Sequence, residues 1–257
     1  IANDRYQQFQ SGLKRHPFKI NNRLGINKDT LKIEALTSVC DVDGGGRENF
    51  SASVASAGMS AMQGVFYIPQ SDLQATAYHS RNVTSGSMRG YGSTQCMPVV
   101  DLMIGQAAAE LNIDPFELRR KNLLHTDDLN TQGVKIDGEL RYHEILDKAE
   151  KHPMWKNRAE NKRTFEANNP NKTFGVGYSL LSKNYGTGNV GPNVAVNLLE
   201  TGEIVLEIEY MEMGSGAQTC QGLLTDPFFG HAVDEVQVAV TETWKALQLY
   251  ETDNPYT

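Results

Sequence analysis

A chain of 257 residues can hold one sizeable core or two domains of ordinary size, and 39% hydrophobic with 21% charged residues is an ordinary globular composition. A formal net charge of −7 argues against a nucleic-acid or anionic-membrane partner, and no apolar run approaches the ~20 residues that span a bilayer. Cys40, Cys96 and Cys220 form no CxxC pair and lie in no His-rich cluster. Zinc or iron–sulfur ligation within this chain is therefore not expected, and the thiols read as reduced and partly buried. The sequence opens at Ile1 without an initiator Met, so the lack of a visible signal peptide carries no weight.

Phe18, Ile20, Leu24 and Ile26 alternate with polar residues, and Asn27-Lys28-Asp29-Thr30 is turn-like. Leu31, Ile33, Ala35, Thr37 and Val39 then alternate again, which predicts a β-hairpin with one buried face. Gly44-Gly45-Gly46 ends its second strand. Ala52, Ala55, Met59 and Met62 recur at three- and four-residue steps and predict a helix over 51–64. Leu73, Ala75 and Ala77 alternate in a strand that leads into Ser87-Met88-Arg89-Gly90-Tyr91-Gly92. Beyond that loop Val100, Met103, Ile104, Ala107 and Leu111 trace one helical face. Asp114 can cap the next helix, with Pro115 at its first position and Glu117 completing an Asp-x-x-Glu capping box. A third helix is expected over 142–151.

The segment 151–172 is rich in Lys, Arg, Asn and Glu and reads as a polar connection between domains. A second hairpin follows: Val194, Val196 and Leu198 alternate, Thr201-Gly202 turns the chain, and Ile204, Leu206 and Ile208 alternate back. It runs into Glu212-Met213-Gly214-Ser215-Gly216-Ala217-Gln218-Thr219, with a helix over about 219–230 and a last strand at Val236, Val238 and Val240. No internal repeat stands out. The alternation of hairpins and amphipathic helices implies an α+β fold of two mixed lobes.

Two places carry the elements of a binding site. A strand, then Gly214-Ser215-Gly216, then a helix can cradle an anion, because glycine lets backbone approach and a helix N-terminus offers unpaired N–H groups. Read alone, it is either that or a tight turn. Arg89 sits beside Gly90 and Gly92, where a permanent charge and close backbone meet; its local sequence equally suits a surface arginine in a turn. Arg15-His16-Pro17 is a further polar site, with His16 read as structural. Gly44-Gly45-Gly46 lacks the Gly-Lys-Ser/Thr ending of a phosphate loop.

Taken together, these pieces resemble the molybdopterin-binding subunit of the xanthine dehydrogenase/aldehyde oxidase family, the molybdenum hydroxylases, over nearly the whole chain. Lys14-Arg15-His16-Pro17-Phe18 opens it as in that family. Arg89-Gly90-Tyr91-Gly92-x-x-Gln95 looks like the family's Arg-Gly-Phe/Tyr-Gly-x-x-Gln motif. Leu111-x-x-Asp114-Pro115-x-Glu117-Leu118-Arg119-x-x-Asn122 follows at the expected interval. Glu212 to Gly216 stands where relatives have a Gly-Gln-Gly turn, with Ser215 in place of the Gln.

The resemblance implies roles. Arg89 would face the substrate and stabilise negative charge developing on it, and Gly90, Tyr91 and Gly92 would shape the loop. Gly214, Ser215 and Gly216 would hold the molybdopterin cofactor through backbone donors. Gln132 would line the substrate pocket where some relatives place a ring-stacking aromatic. The family's Gly-Gly-Phe-Gly motif is expected before Ile1, and its Gly-x-Gly-Glu segment with the general base after Thr257. The resemblance thus implies an internal fragment that is inactive alone. Residues 1–150 would be the C-terminal part of a first cofactor-binding domain, 151–172 a linker and 173–257 the N-terminal part of a second. It also implies iron–sulfur and FAD groups on partner domains or subunits, a homo- or hetero-oligomer, and a cytoplasmic or, with an export signal, periplasmic location. The substrate would be an aldehyde or N-heterocycle. A non-catalytic cofactor-loading or subunit-assembly module is the alternative.

Overall fold

Apolar–polar alternation makes β1 (Phe18–Ile26) a half-buried strand. The computed structural model, which describes residues 4–136, 138–183, 194–208 and 214–238, pairs it antiparallel with β2 (Ile33–Gly45). Between the two, Asn27 Oδ1 accepts from the backbone N–H groups of Asp29 and Thr30, both at 3.0 Å. This is the side-chain-closed turn that Asn favours.

The inward face of β2 differs from the expected one. Ile33 points into the core as expected, but Leu36, Ser38, Cys40 and Val42 follow it, while Thr37 and Val39 face solvent. The register explains the change. Gly25 faces Ala35 and Ile26 faces Ile33, so Glu34 is an extra residue, a β-bulge. One inserted residue exchanges the two faces of everything beyond it.

β3 (Ser71–His79) lies parallel on the other side of β2, giving the order β1-β2-β3. The crossover between β2 and β3 is α2 (Ser51–Ala61), which packs on both of those strands and on α3 (Ser93–Glu110). The core lies between sheet and helices. Leu36, Cys40 and Val42 meet Ala55, Met59 and Met62 of the α2 stretch and Cys96, Val100, Ile104 and Ala108 of α3. The expected faces are slightly misphased: Ala52 is exposed, and Met103, Ala107 and Leu111 are only half-buried.

α4 (Pro115–Lys121) begins as expected, with Pro115 in first position and Asp114 Oδ1 accepting from the Phe116 N–H at 2.8 Å. The reciprocal arm of the capping box is not made; Glu117 pairs instead with Lys121 at 3.5 Å. α5 (Tyr142–Lys151) has the expected bounds. The polar stretch after it is largely helical, as α6 (Pro153–Lys156) and α7 (Arg158–Asn168). Its Trp155 ring lies 4.7 Å from Phe116, and the Tyr178 ring stacks on Phe116 at the same distance. Leu180 then joins the core of this unit, which runs to Tyr185. A helix that the hydrophobic pattern missed, α1 (Arg5–Ser11), opens on a full capping box between Asp4 and Gln7.

The second unit, Gly186–Thr257, repeats the first in miniature. β4 (Val194–Leu198) and β5 (Ile204–Ile208) are antiparallel, α8 (Ala217–Leu224) and α9 (Asp226–Phe229) follow, and β6 (Glu235–Val238) lies parallel to β5. The order β4-β5-β6 matches β1-β2-β3. The helix starts two residues earlier than expected and breaks at Thr225; Val240 lies outside the described residues.

Candidate functional site

The Arg89 loop joins β3 to α3. Gly90, Tyr91 and Gly92 are three successive residues with positive φ, at +99°, +45° and +86°. Glycine is required at both ends for different reasons. A Cβ on Gly92 would stand 2.2 Å from the Val54 carbonyl oxygen of α2, and one on Gly90 would stand 2.5 Å from Thr94 Cγ2. Tyr91 bears the left-handed conformation with a side chain, a strain of about 1–3 kcal/mol that its neighbours must hold.

They hold it from below. Arg15 donates from Nη2 to the Arg89 carbonyl at 2.6 Å and from Nη1 to the Thr94 hydroxyl at 2.9 Å. Thr94 donates to Gln95 Oε1 at 2.7 Å, and Gln95 Nε2 donates to the His16 carbonyl at 3.0 Å. His16 is buried, its Nε2 2.9 Å from the Ser51 hydroxyl and its Nδ1 without a hydrogen-bond partner. Burial pushes the His16 pKa down, against a smaller upward pull from Asp43. His16 is therefore structural, as expected, and the Lys14–Phe18 motif is the footing of the Arg89 loop. Sequence reading gave Arg15 no such task, because its partners lie 74 and 79 residues away.

Two of the loop's N–H groups are spent within it. Tyr91 and Ser93 donate internally, to the Met88 and Gly90 carbonyls at 2.8 and 2.9 Å. What the loop presents is the exposed Arg89 side chain.

Gln132 lies elsewhere in the first unit. Its Nε2 donates to Ser60 Oγ at 2.9 Å, and it lines a cleft of about 360 Å3 with Asn130, Glu139, Tyr142 and Ser182. Ser60 is six residues along α2 from Val54, which Gly92 touches, or ~9 Å of helix rise. Gln132 is thus anchored to the far end of the helix against which Gly92 packs.

In the second unit Gly214 and Gly216 have φ of +88° and +74°, and no side chain caps α8. Nothing lies within 4 Å of a Cβ built on Gly216. The equivalent turn of the first unit is filled: Gly46, Ser80 and Ser85 bond across it, and a Cβ on Gly45 would meet Val83 O at 2.3 Å. Gly214 and Gly216 thus place positive-φ backbone just ahead of the α8 N-terminus, a geometry compatible with the phosphate of a pterin cofactor. Gln218, a candidate donor there, spends its Nε2 on the Val236 carbonyl. Glu212 and Met213 lie outside the described residues.

The Asp114–Asn122 motif is architecture. Arg119 forms a buried pair with Asp101 of α3, Nε to Oδ1 at 2.8 Å and Nη2 to Oδ2 at 3.0 Å, and reaches the Tyr178 carbonyl at 3.3 Å. Asn122 donates to the Leu31 and Leu118 carbonyls and accepts from the Ile33 N–H, bolting α4 to the first hairpin. Cys40 and Cys96 are buried, which pushes their pKa values up to about 11 and about 12. Cys220, expected partly buried, is exposed on α8. Among the described residues no group of three His, Cys, Asp or Glu could hold a metal, and no helix is long and apolar enough to cross a membrane.

Residues 1–123 match the molybdopterin cofactor-binding domain family. The xanthine dehydrogenase molybdenum-binding subunit of Escherichia coli O157:H7 is 30% identical over 253 residues, covering 94% of this chain and 32% of that protein. The aldehyde oxidoreductase of Megalodesulfovibrio gigas is 27% identical over 82% of this chain and 23% of its own length. Among solved structures, quinoline 2-oxidoreductase from Pseudomonas putida 86 superposes with a TM-score of 0.71 at 21% identity, over 92% of this chain and 32% of that one, a likeness of fold. This chain spans about a third of the length of the curated relatives it matches. Residues 1–123 thus carry a molybdopterin cofactor-binding domain, and the chain as a whole is similar to the molybdenum-binding subunits of xanthine dehydrogenases and to aldehyde oxidoreductases.

Proposed function

We propose that this chain is the part of a molybdenum hydroxylase that carries the substrate-side arginine and one cradle for the pterin cofactor. The observation that supports it most is the Arg89 loop, in which three left-handed residues footed on Arg15 hold an exposed guanidinium at the start of α3. The reaction class places a water-derived oxygen on a carbon of an aldehyde or N-heterocycle. The molybdenum cofactor, when bound, supplies the two-electron redox chemistry. Iron–sulfur and flavin groups on partner domains or subunits take the electrons away, in a homo- or hetero-oligomer.

Within this chain, Arg89 stabilises negative charge that builds on the substrate. Gly90, Tyr91 and Gly92 form the wall beside it, and Gln132 lines the substrate cleft on the α2 side. Gly214, Ser215 and Gly216 hold the cofactor by backbone N–H groups. The first unit is then the end of one cofactor-binding domain and the second unit the start of another, and the 257 residues turn over nothing by themselves.

Arg89→Ala in the cofactor-loaded protein is expected to lower kcat/KM by ~10²–10³-fold with molybdenum content retained. Arg89→Lys should recover only part of it, since an ammonium lacks the planar fork. Lost cofactor loading or lost subunit association in place of lost turnover would favour the assembly-module reading. The substitution of Ser for Gln at position 215 in the cofactor turn is the feature that keeps that reading in view.

A further inference from the structure

We propose that Arg15 is the positioning residue of the Arg89 loop, a role that rests on Arg89 being the substrate-side cation. One planar guanidinium closes on both sides of Gly90-Tyr91-Gly92. Nη2 takes the carbonyl just before the three residues and Nη1 takes the hydroxyl two places after them. The fork lies tight against the loop, for a methyl group on Gly90 would come within 3.2 Å of Arg15 Nη1 as well as striking Thr94.

The tie does not end there. Thr94 passes it to Gln95, and Gln95 returns it to the carbonyl of His16, the next residue along from Arg15. His16 is in turn fixed by burial and by Ser51 of α2. A strained segment is thereby held at three points by two adjacent residues whose own position the core sets. The direction in which Arg89 leaves the backbone follows from where its carbonyl is held, so Arg15 acts on the substrate side through Arg89 and touches no substrate itself. Planar geometry matters more than charge here, because the two acceptors need two donors in a fixed fork.

Three variants and two readouts test this. In the 257-residue chain, Arg15→Met, which keeps the apolar stem, should speed amide hydrogen exchange over 89–95 by ~10-fold or more and leave β1, β2 and α4 unchanged. Thr94→Val should give a smaller increase in the same amides. In the cofactor-loaded protein, Arg15→Met should lower kcat by ~10- to 100-fold at retained molybdenum content, with KM moved far less. Arg15→Lys should restore part of kcat. The proposal is overturned by unchanged exchange over 89–95, by an increase spread over the whole first unit, or by full kcat in Arg15→Met beside a dead Arg89→Ala. Full turnover in Arg89→Ala itself removes the substrate-side reading of Arg89 and takes the functional half of this proposal with it.

Discussion

His16 shows how one residue can serve the site without being in it. Its carbonyl anchors Gln95, while its ring is buried with Nδ1 unpaired. Burial holds its folded pKa below the usual histidine value. The unfolded chain therefore takes up a proton first, near pH 6.5, so the stabilisation is full above that pH and is lost as pH falls below it. His143 adds an effect of the same sign, lowered by burial and then by His125 and Arg120. Asp43 and Asp147 have pKa values held below the ordinary carboxylate value and lose their stabilisation only at lower pH. Thermal unfolding between pH 7.5 and about 5 should thus show Tm falling more steeply in the native chain than in His16→Gln; identical slopes would refute it. The presence of a polar residue at this spot was legible from Arg15-His16-Pro17. Its partners were not, because Ser51 is 35 residues away and Gln95 is 79.

Between elements, the main tie is the Arg119–Asp101 pair joining α4 to α3, with side chains only 5% and 4% exposed. Removing one partner leaves a buried, uncompensated charge, which costs about 3–5 kcal/mol, whereas replacing both with apolar side chains is often neutral. Arg119→Met alone should therefore lower the denaturation midpoint strongly, and Arg119→Met with Asp101→Leu should recover most of it. Equal loss in single and double variants, followed by urea unfolding, would contradict this account. Element by element, the sequence was most readable where a local rule acts alone. Pro115 and Asp114 fixed the start of α4, and the alternation in β1 fixed its faces. Asp4-x-x-Gln7 carried the α1 signal in plain view, but with no apolar stripe beside it the box drew no notice. The β2 faces were misread because a bulge at Glu34 leaves no mark on the apolar pattern until the partner strand is known.

At the level of the molecule, the hairpin–helix–parallel-strand plan occurs twice. Sequence inspection found no repeat because topology, not side-chain identity, is what recurs: the turn after the second strand is Gly44-Gly45-Gly46 in one unit and Gly214-Ser215-Gly216 in the other. A Cβ on Gly45 would strike Val83, whereas one on Gly216 would meet nothing within 4 Å, so the two turns differ in how tightly they are packed. The resemblance that identified the family lay in ordered short motifs, and the structure assigns most of them to footing and bracing. If the general base lies outside these 257 residues, the purified chain with an aldehyde or N-heterocycle and an artificial electron acceptor should give no turnover above background; robust turnover would overturn that. Asn122 has one more consequence. It grips Leu31 and Ile33 from 91 and 89 residues further along the chain. At about 5–20 residues per second, a ribosome delivers that grip roughly 5–20 seconds after the hairpin has emerged. For that interval the nascent hairpin lacks its clasp, and its companion strand and helices arrive only by degrees. A hairpin made well ahead of α4 is thus secured only once α4 has followed it, and it is there that a chaperone has much to protect.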